Sequence, residues 1–375
     1  MSAILPGATL GVLGGGQLGR MFCVAARTMG YQLAVLDPDA GSPAGRIADH
    51  HIQADFTDHA ALDQLAKLCD VITTEFENVP ADSMRYLASK CPVFPSPDAL
   101  EIAQNRNREK QFARDAGLLP VPYHAIRNES DLEPALAEVG LPGILKSASL
   151  GYDGKGQVVV TTEAELRDAW HGMQQVECVL EKKIDLQLEV SAIIARNSIS
   201  SVGFPVVENQ HLDGILHLSI VPARVEQGIT HTARAQAMKL AEAMEYTGVL
   251  AVEFFLAKDG TLYFNEMAPR THNSGHYTRD ACVTSQFEQQ VRMMCGLPAG
   301  DARLTSPVVM VNMLGDLWPP DWLEILQHPE IKLHLYGKQH ARAGRKMGHF
   351  NVLSDNVEAA LAIAEDVFSR LAEKP

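Results

Sequence analysis

No two of the six cysteines form a C-x-x-C pair, and none groups with histidine at metal-ligand spacing. A disulfide framework and a structural zinc are therefore not expected, and thiols scattered from Cys23 to Cys295 fit a reducing compartment. Positive charge is scarce: 32 Lys and Arg stand against 46 Asp and Glu, a formal net charge of −14. That average field repels phosphate polyanions, which argues against nucleic acid or an acidic membrane as a partner, so any anionic ligand must meet a local basic pocket. Long apolar runs are missing too. Residues 1–19 are uncharged, yet Pro6 and six glycines interrupt them and no basic stretch introduces them, so the cytoplasm is expected rather than a signal or a membrane span. What remains, 46% apolar and 21% charged over 375 residues, is the composition of a soluble enzyme with two or three packed units.

In the first hundred residues, apolar runs (TLGVLGG, QLAVLDPD, HIQADF, VITTEF, CPVFPS) alternate with amphipathic stretches such as QLGRMFCVAARTMG, the pattern of a doubly wound parallel α/β sheet. A polar helix, IAQNRNREKQFARDAG, then stops at Gly117 with Pro120 beyond it. The short strands PGILKSA, QVVVTT and CVLEKKI follow, read as a small α+β lid whose helix starts at a Thr162/Glu165 capping box. Further strands and helices from 187 onward read as a larger third unit. The expected units are 1–105, 106–186 and 187–375.

Within VLAVEFFLAKDGTLYFNEMAPR, two apolar runs flank Asp259-Gly260, a pair suited to a two-residue hairpin loop. With that loop, Lys258 opposes Thr261 and Glu253 falls opposite Glu266, two carboxylates about 5 Å apart across the ladder. Like charges so placed need a cation, and hard oxygens on a rigid sheet suit Mg²⁺, with Asn265 as a further donor if the strand is bulged. A three-residue loop with a bulge would instead shift the register by one and separate the pair.

A second stretch, LPGILKSASLGYDGKGQVVV, places Lys146 at a strand end before the loop Gly151 to Gln157, whose three glycines and Lys155 suit phosphate oxygens. In CVLEKKIDLQLEV, Glu181 and Glu189 could serve an exocyclic amine and ribose hydroxyls, with main chain near Ile184 reading an adenine edge. The spacing Gly14-x-Gly16-x-x-Gly19, followed 18 residues later by Asp37, also admits a dinucleotide-binding oxidoreductase, though that reading leaves the acidic hairpin unexplained. From Ile331 to Ser354 there is no Asp or Glu, while Lys332, Lys338, Arg342, Arg345 and Lys346 all occur: either a solvated cationic face or an anion pocket.

Together, Lys146, GYDGKGQ, EKKI, Glu189, Glu253 and NEMAPRTHNSGH resemble the ATP-grasp superfamily. With FEN (76–78) and GRKMGH (344–349), nearly the whole chain resembles its 5-(carboxyamino)imidazole ribonucleotide synthetase family. The resemblance implies an ATP-grasp fold: a Rossmann-like N-terminal domain, a central lid and a larger C-terminal domain. It also implies a homodimeric carbon–nitrogen ligase of purine biosynthesis. Such a ligase phosphorylates bicarbonate with ATP, and the carboxyphosphate delivers CO₂ to the exocyclic amine of 5-aminoimidazole ribonucleotide. ATP contacts are implied for Arg106, Lys146, Gly151, Tyr152, Asp153, Gly154, Lys155, Gly156, Gln157, Glu181, Lys182, Lys183, Ile184, Glu189, His211 and Asn265, with Mg²⁺ on Glu253 and Glu266. Arg270 and His272 would hold bicarbonate. Lys338, Arg345, Lys346, Asn273 and Ser274 would grip the ribonucleotide phosphate, Lys338 counting also among the catalytic groups. Tyr152 and Asp153 would meet the aminoimidazole, Asp153 as base, and Gln17, Leu18 and Glu75 would touch the ribonucleotide. A relative using formyl phosphate on another ribonucleotide is an alternative.

Overall fold

Four apolar runs of the first hundred residues pair as an all-parallel sheet in the order His50–Ile52, Gln32–Leu36, Thr9–Leu13, Val71–Thr74. The strand order reverses between the last two, so a crevice opens beyond their carboxyl ends. Their register sets Leu13 beside Thr74, which makes the glycine turn after Leu13 and Glu75 after Thr74 neighbours. The computed structural model describes residues 3–149 and 156–373.

A second, antiparallel sheet has the order Tyr123–Ile126, Cys178–Lys182, Gly143–Ser147, Gln157–Val160. The third is antiparallel and nine-stranded. Its edge strand is Leu262–Ala268, then come Gly248–Ala257, Leu186–Arg196, Val207–Leu212, Ile215–Val221, Val308–Leu314, Lys346–Leu353 and Ile331–Leu335, with Ser201–Gly203 paired beside Leu186–Arg196. The acid-free segment is thus the hairpin at the opposite edge from Glu253 and Glu266. Five strand spacings of a flat sheet are about 24 Å, yet Lys346 and Glu253 line one cavity, so the sheet curls around it.

The polar helix is two helices. Pro97–Ala103 ends at Gln104, and the Asn105 side chain accepts from the N–H groups of Asn107 and Arg108, starting Arg106–Asp115. The Thr162 hydroxyl caps Glu165 N–H as expected, but Glu165 returns its carboxylate to Thr161 rather than Thr162. Helix Gln17–Thr28 packs Leu18, Phe22 and Cys23 against Phe287, Val291 and Met294 of helix Gln286–Met294, fastening the parallel sheet to the large one. Each fully buried aromatic or aliphatic side chain there contributes about 1.5–3 kcal/mol. Among the described residues no helix is long and apolar enough to cross a membrane.

Candidate active site

The hairpin loop is one residue longer than the spacing of Asp259-Gly260 suggests. Leu256 pairs with Leu262 and Ala257 N–H donates to Thr261 O at 2.9 Å, so Lys258, Asp259 and Gly260 form the loop, with Gly260 at φ +84°. That register alone would oppose Glu253 to Asn265. A bulge corrects it: Phe254 pairs with Phe264 but Glu253 pairs with Glu266, leaving Asn265 as the extra residue. The two carboxylates face each other through two compensating irregularities.

Their surroundings make the pair asymmetric. Burial and the charge of Glu266 push Glu253 up to about 8. Burial would raise Glu266 too, but the Arg106 guanidinium, 2.7 Å away, holds it below the usual carboxylate range. Beside them the Asn265 amide oxygen is buried with no hydrogen-bond partner among the described residues. Two carboxylates and an orphaned amide oxygen are hard donors, so these residues fit Mg²⁺.

His272 sits 3.1 Å from Glu253 through Nε2 and 2.9 Å from the Ser274 hydroxyl through Nδ1. Burial, and then Arg270, drive it down to about 3, so the ring is neutral. Arg270 donates through Nε to Glu77 and through Nη1 to Thr271 O at 3.0 Å. Burial would raise Glu77, but Arg270 brings it down to about 2. His211 Nδ1 lies 3.1 Å from Glu189, which raises the imidazole against its burial. Ligand atoms of Glu189, His211 and Glu253 all lie within 4.8 Å of one another.

A cavity of about 570 Å³ collects most of the expected residues from all three sheets: Gln17, Leu18, Glu75, Arg106, Lys146, Gln157, Glu189, His211, Glu253, Asn265, Glu266, Arg270, His272, Asn273 and Lys346. The Asn273 amide presents both polar atoms buried and unpartnered among the described residues. Gly151, Tyr152, Asp153, Gly154 and Lys155 lie outside the described residues. Gly156, at φ +72°, follows them next to Ser147.

Other expected residues stand away from the lining of this cavity among the described residues. Glu181 is fully buried, its oxygens 3.0 Å from Lys110 and 2.8 Å from Lys146; burial would raise it, but the two lysines hold it at about 2, so its carboxylate is committed inside the protein. Lys182 is exposed, Lys183 N–H is taken by Pro142 O at 3.1 Å, and neither they nor Ile184 line the cavity. Ser274 is fully buried, its hydroxyl bonded to His272 and, at 2.8 Å, to Ser191. Of the cationic segment only Lys346 lines the cavity. Lys338 donates to Lys346 O and Arg345 to His340 O, each at 2.7 Å. Burial and then Arg345 bring Lys338 down to about 8.

The glycine turn also differs from expectation, because its anion is internal. Glu75 accepts from Gly16 N–H and, at 2.8 Å, from Gly19 N–H, while Asp37 accepts from Gly15 N–H at 2.6 Å, so the acid of the dinucleotide reading is spent on the turn itself.

Sequence reasoning missed Glu77, Glu109 and Lys110. The last two are buried and hold the bulged strand: Glu109 accepts from Met267 N–H at 2.6 Å, and Lys110 donates to Asn265 O at 3.0 Å. Their signal was the polar helix itself, where charges stand on the face that also buries Asn107 and Ala113.

Three family models match the chain: a ribonucleotide synthetase preATP-grasp domain at residues 7–104, an ATP-grasp domain at 111–287, and a phosphoribosylaminoimidazole carboxylase C-terminal domain at 308–363. The chain is 44% identical over 355 residues to an N5-carboxyaminoimidazole ribonucleotide synthase of Bacillus subtilis, covering 93% of this chain and 92% of that one. A crystal structure of an N5-carboxyaminoimidazole ribonucleotide synthetase in complex with ADP superposes with a TM-score of 0.94 at 46% identity over 98% of both chains. The Aspergillus clavatus N5-carboxyaminoimidazole synthase in complex with ADP and 5-aminoimidazole ribonucleotide superposes with a TM-score of 0.91 at 32% identity, over 98% of this chain and 99% of that one.

Proposed function

The chain belongs to the N5-carboxyaminoimidazole ribonucleotide synthase family of ATP-grasp enzymes, and from that premise we infer that it is an ATP-dependent carbon–nitrogen ligase acting on 5-aminoimidazole ribonucleotide with bicarbonate. A bicarbonate oxygen attacks the γ-phosphorus of ATP, the bridging P–O bond breaks and ADP leaves. Carboxyphosphate then breaks its C–O bond to give CO₂ and phosphate. The exocyclic amine of the ribonucleotide forms the new N–C bond and loses a proton. The observation that carries this reading is the Glu253–Glu266 pair, opening on the same cavity as Arg106, Lys146, Arg270 and His272.

Glu253, Glu266 and the Asn265 amide oxygen would hold Mg²⁺, which when bound supplies neutralisation of the transferring phosphoryl group. Lys146 reaches the phosphates from the second sheet, and Glu189 with His211 takes the ribose. Arg270 presents a guanidinium fork to bicarbonate, its orientation set by Glu77. His272, being neutral, offers a hydrogen bond and adds no charge. The unpartnered Asn273 amide and Lys346 serve the ribonucleotide, with Gln17, Leu18 and Glu75 at the far wall. The parallel sheet of 1–105 thus carries the ribonucleotide, and 106–186 and 187–375 clasp ATP between them. We place the enzyme in the cytoplasm as a homodimer.

ADP release in a coupled assay tests the assignment. With ATP, Mg²⁺ and 5-aminoimidazole ribonucleotide, bicarbonate should stimulate turnover and formate should not. Stimulation by formate alone, or no ADP under any combination, would overturn it.

A further inference from the structure

The strand carrying Glu266 is an edge strand, and an edge presents backbone groups that no neighbouring strand pairs. Phe264 is satisfied by backbone: its N–H donates to Leu119 O at 2.7 Å and its carbonyl accepts from Val121 N–H at 3.2 Å. The next three residues are held differently, each by an ionisable side chain of helix Arg106–Asp115. Lys110 Nζ donates to Asn265 O, Arg106 grips the Glu266 carboxylate, and Glu109 Oε1 accepts from Met267 N–H. Glu109 and Lys110 are 2% and 1% exposed.

Burying a lysine and a glutamate to satisfy one carbonyl and one N–H is costly where side chains that never ionise would do. Lys110 does more than satisfy Asn265. Its ammonium also meets Glu181 Oε1 at 3.0 Å, and Glu181 Oε2 meets Lys146 at 2.8 Å. A path of paired charges therefore runs from the bulge to the second sheet, ending on a lysine of the cavity wall. The bulge is the irregularity that brings Glu266 opposite Glu253, and Glu109 and Lys110 bind the residues on either side of Glu266.

We propose that Lys110, with Glu109, is the positioning device for the metal carboxylates, clamping the bulge so that Glu266 stays in register with Glu253. Through Glu181 it ties that register to the strand bearing Lys146. This rests on the reading of Glu253 and Glu266 as the Mg²⁺ ligands. Neither Lys110 nor Glu109 needs to touch the metal or a substrate.

The test uses the full chain and two readouts: Mn²⁺ affinity in the presence of ADP, by electron paramagnetic resonance, and the Mg²⁺ dependence of ADP release. Lys110→Met should weaken Mn²⁺ and raise the Mg²⁺ half-saturation about 10- to 100-fold, the range for loss of a residue that orients a ligand, with the KM for ribonucleotide within about twofold. Lys110→Arg, which keeps a cationic donor, should recover part of the loss, and Glu109→Leu should shift both readouts in the same direction. Arg108→Ala, on the exposed side of the same helix where Arg108 pairs with Glu101 at 2.5 Å, should leave both unchanged. If Lys110→Met lowers kcat at unaltered Mn²⁺ affinity, or Arg108→Ala weakens Mn²⁺ equally, the clamp is refuted. Should Lys110→Met fail to fold, Lys110→Arg and Glu109→Leu decide by the same readouts. Glu253→Gln and Glu266→Gln separate the two claims: unchanged Mn²⁺ affinity there refutes the metal reading, whereas lost affinity there with none lost in Lys110→Met refutes the clamp alone.

Discussion

The glycine turn and the acidic hairpin both set carboxylates against unpaired partners, and they do so in opposite senses. At Gly14–Gly19 the surplus is of donors: three backbone N–H groups at the start of a helix. Glu75 and Asp37 consume that surplus, leaving the turn complete without any ligand. The fit is close, since a Cβ on Gly14 would stand 2.5 Å from Glu75 Cγ. At the hairpin the surplus is of acceptors. Arg106 grips Glu266, the Asn265 amide oxygen has no partner among the described residues, and burial with the charge of Glu266 raises Glu253 to about 8. The motif with the better-known name is self-satisfied, and the unnamed one carries the need for a cation. A ligand site is marked by what the fold leaves over.

The sharpest way to break the comparison is to remove one surplus acceptor. Glu266→Gln should cut turnover at least about 100-fold, some 2.7 kcal/mol of transition-state stabilisation, measured as ADP release at saturating ATP. Turnover near the wild-type rate would mean that the facing carboxylates are a structural coincidence.

A smaller effect tests the raised carboxyls. Burial raises Glu253 and Glu109 to about 8 from an ordinary 4.5. Groups raised on folding contribute stability that is fully present below about 4.5 and lost as pH rises through about 8. The metal-free protein should therefore melt at a lower temperature at pH 8.5 than at pH 6. Mg²⁺ with ADP competes with the proton on Glu253, so its stabilisation should be larger at the higher pH. Equal gains in melting temperature at both values would detach Glu253 from the metal.

How far these regions could be read in advance follows from the range of the interactions that set them. The parallel sheet was legible because uninterrupted apolar runs such as QLAVL are a local signal, and the Glu253–Glu266 opposition was legible as a spacing. The route to that opposition was not: a three-residue loop with a bulge was expected to separate the pair, yet the two cancel, and the bulge is held by Glu109 and Lys110, more than 150 residues away along the chain. That Glu75 also closes the glycine turn was not legible, because nothing local says that the strand order His50–Ile52, Gln32–Leu36, Thr9–Leu13, Val71–Thr74 brings it onto that turn. Cationic residues between 331 and 354 were visible as a group, but which of them faces the cavity depends on the curl of the large sheet, and only Lys346 does.

The smallest expected effect lies on the self-satisfied side. Glu75→Gln keeps one oxygen for the turn but replaces the other with an amide that cannot accept from an N–H, and it removes the negative charge near the helix start. Such changes near a helix N-terminus amount to about 0.3–1 kcal/mol. Their pH dependence has a definite sign. Burial raises Glu75 despite the hydrogen bonds from Gly19 and Gly16, which pull it down. A raised carboxyl loses its contribution as pH increases through its folded value, whereas the amide does not titrate. At acidic pH the protonated acid is as uncharged as the amide, so there the two proteins should melt most alike, and as pH rises through the folded value the wild type should lose stability relative to Glu75→Gln. A wild type that instead gains on Glu75→Gln as pH rises would mean that the Gly16 and Gly19 amides hold Glu75 ionised more strongly than burial resists, making the turn a true anion site that the protein has filled for itself.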